Sequence, residues 1–158
     1  MNENEITIQK FFQFFRDKNV EAMLDCYHQD IEFSDPVFGK LQGIAVRGMW
    51  KMLLERSPDL IIESYNIRAD ENKGSAEWKA TYTFSKTNRV IVNKVNSKFT
   101  FLDGKIIAQK DKFSMWKWAG MALGLGGYIL GFTSVIKNQV RSDALNGLKI
   151  YMKRKKVT

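Results

Sequence analysis

The chain reads as an α+β fold: three N-terminal helices packed on a mostly antiparallel sheet, with a helical extension at the C-terminus. Two changes of pattern predict it. Apolar residues recur with a helical period as far as about Arg56, then with a period of two from Leu60 to Ser114. After that an uncharged run, Trp118 to Ile136, leads into a last helical stripe.

Ile8, Phe11, Phe12 and Phe15 fall at i, i+3, i+4 and i+7, one face of a helix over residues 5–17. Asp17-Lys18-Asn19 breaks that pattern, and Val20, Met23, Leu24 and Tyr27 restart it as a second, shorter helix. A strand-like run, Ile31-Glu32-Phe33-Ser34, then ends at the elbow Asp35-Pro36-Val37-Phe38-Gly39. Proline fixes its own φ and pushes the residue before it into extended backbone, so Asp35 is displayed rigidly at a strand end. A carboxylate held this way suits catalysis, and Asp-Pro is equally ordinary turn chemistry. Gly39 to Gly43 reads as a turn, and Val46, Met49, Trp50 and Leu53 mark a third helix that Ser57-Pro58-Asp59 stops.

Leu60 to Ala69 reads as a strand and Asp70 to Gly74 as a turn. Ala76, Trp78, Ala80, Tyr82 and Phe84 alternate with polar residues, the pattern of a sheet with one wet face. Thr87-Asn88 turns the chain back. Lys94, Lys98 and Thr100 mark the solvent side of the next strand, which sends Asn93 and Ser97 inward. Asp103-Gly104 is a hairpin signal. In the final strand, Lys105 to Ser114, Lys110 and Lys112 select the outer face and leave Gln109 and Asp111 inside. A core polar group without a partner costs roughly 1–3 kcal/mol. Asn93, Ser97, Gln109 and Asp111 therefore pair with one another or face a wet cavity, unless Asp111 lies half-exposed near its strand end.

The run from Trp118 to Ile136 has the length of a membrane span, but its five glycines, with breakers at Gly124, Gly126 and Gly127, predict two short helical pieces. It reads as a lid or interface segment with at most weak surface association. Val140, Ala144, Leu148 and Tyr151 stripe a terminal helix over 135–152, and Lys153-Arg154-Lys155-Lys156 closes the chain as a solvated tail. The division expected is a domain over 1–116 and its lid extension, with the basic tail, over 117–158.

A net charge of +8 draws a protein toward polyanions, yet apart from that tail the lysines are scattered, and no nucleic-acid site is predicted. Cys26 is the only cysteine and the acidic N-terminus shows no signal peptide, so a cytoplasmic protein is expected. No cofactor is predicted: Gly124-Leu125-Gly126-Gly127 lacks the order and context of a phosphate loop. No metal is predicted either, because His28 is the only histidine and the carboxylates form no compact cluster.

The order of these elements, with Phe11 to Asn19, Ala22 to Tyr27, Ile31 to Val37 and the strand ending Ser97-Lys98-Phe99-Thr100-Phe101, resembles the SnoaL-like branch of the nuclear transport factor 2-like superfamily. That superfamily includes ketosteroid isomerases and polyketide cyclases. The stretches Trp50-Lys51-Met52-Leu53, Phe84 to Arg89 and Met115 to Gly124 extend the resemblance over roughly residues 5 to 150. It implies a cone-shaped fold with an aromatic-lined pocket for a small apolar molecule, and a homodimer through the open sheet face that bears Glu77, Lys79, Thr81 and Thr83. It places Asp35 at the isomerases' catalytic base. Their two oxyanion donors fall at Phe11 and Ser97, which removes steroid-type isomerisation from expectation, since each lost donor costs about 10²–10³ in rate. The expected molecule is a pocket protein with Asp35 as base and Asp111 as second acid or orienter, performing isomerase, cyclase or hydrolase chemistry. Trp50, Tyr82 and Trp116 hold the substrate, and Asn93, Ser97 and Gln109 are expected to bind it as the polar residues of the pocket. The alternative is a non-catalytic binding or interaction module on the same fold.

Overall fold

The computed structural model describes residues 2–130 and 133–157, so two residues of the uncharged run, 131 and 132, lie outside the described ones. The first helix, α1 (Glu3–Arg16), begins where the Asn2 side chain accepts the Glu5 amide at 2.8 Å, and its Ile8, Phe11, Phe12 and Phe15 face is buried. A single turn, α2 (Val20–Leu24), leads into β1 (Tyr27–Asp35). Tyr27 thus opens the strand and does not extend the helix stripe, because Asp25 caps α2 two residues earlier.

The sequence 39–42, expected as a turn, is a strand, β2 (Gly39–Gln42). Gly39 and Gly43 carry positive φ at its two ends, so the pair that suggested a turn instead bounds a four-residue strand. Asp35 pairs with Gly39 across the elbow, and Leu41 between the glycines is buried. After α3 (Ile44–Arg56) come β3 (Ile61–Ala69), β4 (Lys73–Phe84), β5 (Arg89–Leu102) and β6 (Lys105–Lys112). The six strands form one curved, unclosed sheet in the order β2-β1-β6-β5-β4-β3. Its neighbours are antiparallel except β1 and β6, which run parallel.

Helices α1 and α3 cover the inner face, where aromatic rings do most of the filling. Phe12 meets Trp78 at 5.8 Å between ring centroids, Phe15 meets Trp50 at 5.2 Å and Phe33 meets Trp50 at 5.6 Å. The C-terminal helices are α4 (Met115–Leu123), α5 (Leu125–Leu130) and α6 (Ser134–Lys155). Of the three glycines read as breakers, only Gly124 separates helices; Gly126 and Gly127 lie within α5. Helix α4 starts at Met115 because Ser114 accepts the Lys117 amide as its cap. Beneath it a second cluster joins Met115, Trp118, Ala119 and Ala122 to Ile91 of β5. Helix α6 buries Leu148 and Tyr151, and the Tyr151 hydroxyl donates to Glu55 of α3 at 2.7 Å. Among the described residues no helix is long and apolar enough to cross a membrane.

Phe12 is fully buried, whereas Ile6 on the same helix is 38% exposed. Phe12→Ala is expected to lower the unfolding free energy by about 3–5 kcal/mol through lost transfer energy and the cavity left behind. Ile6→Ala should change it by only about 0.5 kcal/mol. Urea midpoints of the two variants check the difference.

Candidate active site

The elbow positions its carboxyl by local hydrogen bonding. Asp35 Oδ1 accepts the amides of Val37 at 2.9 Å and Phe38 at 2.6 Å, the geometry of an Asx turn. Oδ2 accepts no hydrogen bond among the described residues. Since no fully buried side-chain nitrogen or oxygen there lacks a partner, this oxygen is reached by solvent. Asp35 is therefore both a turn residue and a partly open carboxylate.

Ser34 of β1 pairs with Lys110 of β6 across the parallel ladder, so Asp35 and Asp111 are the next residues along these two strands. Asp111 is buried at 4% exposure, and its surroundings explain how a carboxyl is accommodated there. Two chains of donors converge on its Oδ1. In one, the Trp50 indole donates to the Tyr27 hydroxyl at 2.9 Å, Tyr27 donates to Gln109 Oε1 at 2.6 Å, and Gln109 Nε2 donates to Asp111 at 3.0 Å. In the other, the Trp78 indole donates to Ser97 Oγ at 2.7 Å and Ser97 donates to Asp111. Asp111 Oδ2 accepts none of these hydrogen bonds.

Both carboxyls line a cavity of about 390 Å³ between the inner sheet face, α3 and the C-terminal helices. Trp50, Trp78, Tyr82, Asn93, Phe113 and Trp118 share the wall, and Ile136, Val140 and Ala144 of α6 close one side. Of the residues singled out in the sequence, Asp35, Asp111, Trp50, Tyr82 and Asn93 are brought together here. Ser97 and Gln109 stand behind the wall and hold Asp111. Trp116 does not belong to the group: it is 43% exposed and outside the lining, and Trp118 takes the place assigned to it. The helical spacing Met115, Trp118, Ala119, Ala122 is the signal for the correct ring. Tyr27 and Trp78 carry polar tips that need buried partners, which is what marks them as network members. Among the described residues no group of three metal-ligating side chains is assembled.

Tyr82 accepts the Trp118 indole N–H at 3.0 Å and donates its own proton to no residue described, so the hydroxyl is available to a ligand. The Asn93 amide has no side-chain hydrogen bond among the described residues either, so the cavity offers two neutral donors beside two carboxyls.

Burial pushes the Asp35 carboxyl up to about 6, against the pull of the Phe38 and Val37 amides and of Arg141. Burial pushes Asp111 further, to about 7, opposed by the hydrogen bonds from Ser97 and Gln109 and reinforced by the charge of Asp35. Tyr82 is also raised, first by burial and then by Asp35 after the opposing indole bond. Unfolded aspartate titrates near 3.8, so between about 4 and 7 the folded chain binds more protons than the unfolded one. Each carboxyl thus imposes a stability penalty that grows through this window and is complete above it. Asp111→Asn keeps an acceptor for Ser97 and Gln109 and removes the titration. Thermal melts at pH 5 and pH 8 should show the variant gaining on the wild type at pH 8 by several degrees more than at pH 5.

A family model described as "SnoaL-like domain" matches residues 8–109. No sequence among curated proteins matches the chain. Three similar solved structures are TerC co-crystallised with polyporic acid, the epoxide hydrolase/cyclase-like enzyme SalBIII described for pyran ring formation in polyether salinomycin, and an LEH-like epoxide hydrolase of M. tuberculosis. TerC is 16% identical with a TM-score of 0.67, covering 77% of this chain and 99% of its own. SalBIII is 17% identical with a TM-score of 0.63, covering 71% and 91%. The M. tuberculosis protein is 17% identical with a TM-score of 0.61, covering 81% and 96%. At these identities the structures speak for the fold, and the family model, which spans more than half the sequence, places this chain in the SnoaL-like family.

Proposed function

We propose that this protein performs carboxylate acid/base catalysis on a small, largely apolar molecule, without a cofactor. The observation that carries the reading is the pair of cavity-facing carboxyls, Asp35 at about 6 and Asp111 at about 7, each with one oxygen fixed. Between those values Asp35 is the more ionised and Asp111 the more protonated, which divides them into base and acid. Asp35 Oδ2 takes a proton from a water, a hydroxyl or an activated carbon. Asp111 delivers a proton to the oxygen on which negative charge develops, with Tyr82 and Asn93 donating hydrogen bonds to the substrate. Trp50 and Trp118 hold its apolar body, while α4 to α6 act as the lid that keeps water out.

Opening or closing an epoxide requires these two proton movements: a base on the attacking oxygen and an acid on the departing one. Epoxide chemistry appears in the names of two of the similar structures, and this supports trying it first. A panel of aryl- and alkyl-substituted epoxides should show turnover with a bell-shaped pH profile between about 6 and 7. Asp35→Asn and Asp111→Asn should each lower kcat/KM by roughly 10²–10⁴ with the melting temperature kept or raised. Tight binding of apolar probes that is unchanged in both variants, without turnover, points instead to a non-catalytic ligand carrier.

A further inference from the structure

The outer face of the sheet carries a second concavity, an open trough of about 710 Å³ unconnected with the carboxyl pair. One register row crosses all six strands there: Lys40 of β2, Ser34 of β1, Lys110 of β6, Lys98 of β5, Ser75 of β4 and Arg68 of β3. Lys73 adds a cation two residues from Ser75, and all of these residues line the trough. Lys98 and Lys110 are direct cross-strand partners, a like-charge arrangement that destabilises a sheet. Among the described residues none of the five cations has a carboxylate within ion-pair distance. Of the two acids in the lining, Glu32 accepts from Gln42, and Asp70 accepts the amides of Asn72 and Lys73 and also feels the Lys73 charge, which leaves Lys40, Arg68, Lys98 and Lys110 without an acid of the lining acting on them. On the same face Lys79 is paired with Glu63 at 2.8 Å, so an unpaired row is not general to this surface.

We propose that the trough binds an extended acidic segment of a partner protein. Five interstrand steps of roughly 4.8 Å make the row about 24 Å long, the reach of about seven extended residues. Alternate side chains of such a segment point one way, about 7 Å apart, and present carboxylates to the lysines and to Ser34 and Ser75. The trough has no ring to stack a base, since Phe33 and Phe99 in its floor are 1% and 2% exposed. A second copy of this chain would bring the same cations, and the exposed apolar residues Ile61, Val90 and Val92 lie on rows away from it.

The test is fluorescence anisotropy of a labelled octapeptide alternating Glu and Ser against the full chain. Binding is expected at 50 mM salt, at least tenfold weaker at 200 mM, and at least tenfold weaker in Lys98→Glu/Lys110→Glu. The milder Lys98→Gln/Lys110→Gln serves if the charge reversal fails to fold. Lys98→Glu alone should raise the melting temperature by replacing a repulsion with an ion pair. The proposal is overturned if the double variant binds within twofold of wild type. It also fails if an oligothymidylate or a polyphosphate of equal charge binds more tightly than the peptide, or if gel filtration shows the double variant splitting a dimer.

Discussion

A carboxyl cannot be placed inside an apolar fold unless donors meet it there, and much of this molecule's interior is arranged around that requirement at Asp111. The donors are spread over the fold: Tyr27 from β1, Gln109 from β6, Trp50 from α3, and Trp78 and Ser97 from β4 and β5. Every hydrogen bond in the network of these two chains runs toward the carboxyl. It thereby aims one oxygen at the core and leaves the other to the cavity. The same indoles also pack against Phe12, Phe15 and Phe33, which makes the core and the acid's support one structure.

The second carboxyl is held by different means. Asp35 depends on its own turn for orientation, and on residues far along the chain for its surroundings. Arg141 of α6 donates to the Pro36 carbonyl at 3.2 Å and bears electrostatically on Asp35. The family match ends at residue 109, whereas cavity residues continue through Trp118, Ile136 and Val140 to Ala144. The side of the cavity formed by the C-terminal helices, and Asp111 itself, therefore lie beyond the part of the chain that the family model describes, while the sheet and α3 walls lie within it.

Much of the fold and of the candidate site is legible in the sequence where a single local rule applies. Strand parity turns Ser97, Gln109 and Asp111 inward because lysines on the opposite parity leave no other solution, and the phenylalanine spacing of α1 is unambiguous. Where two rules compete, the sequence misleads. Tyr27 continues a helical stripe yet opens a strand; glycines suggest a turn at 39–43 yet bound a strand; Trp116 and Trp118 are separated only by helical phase. The partnership of Tyr27 with Gln109, 82 residues apart, has no local signature at all. It comes from a parallel strand pairing that neither segment announces by itself.

That pairing also governs how the two carboxyls relate. Because β1 and β6 are hydrogen-bonded neighbours, the separation of Asp35 and Asp111 is fixed first by backbone and only then by side-chain rotamers. Trp50 and Trp78 of the cavity wall belong to the chains that hold Asp111, whereas Tyr82, Asn93 and Trp118 stand outside those chains. A scaffold of this kind lets those outer wall residues vary while the strands keep the spacing of the two carboxyls.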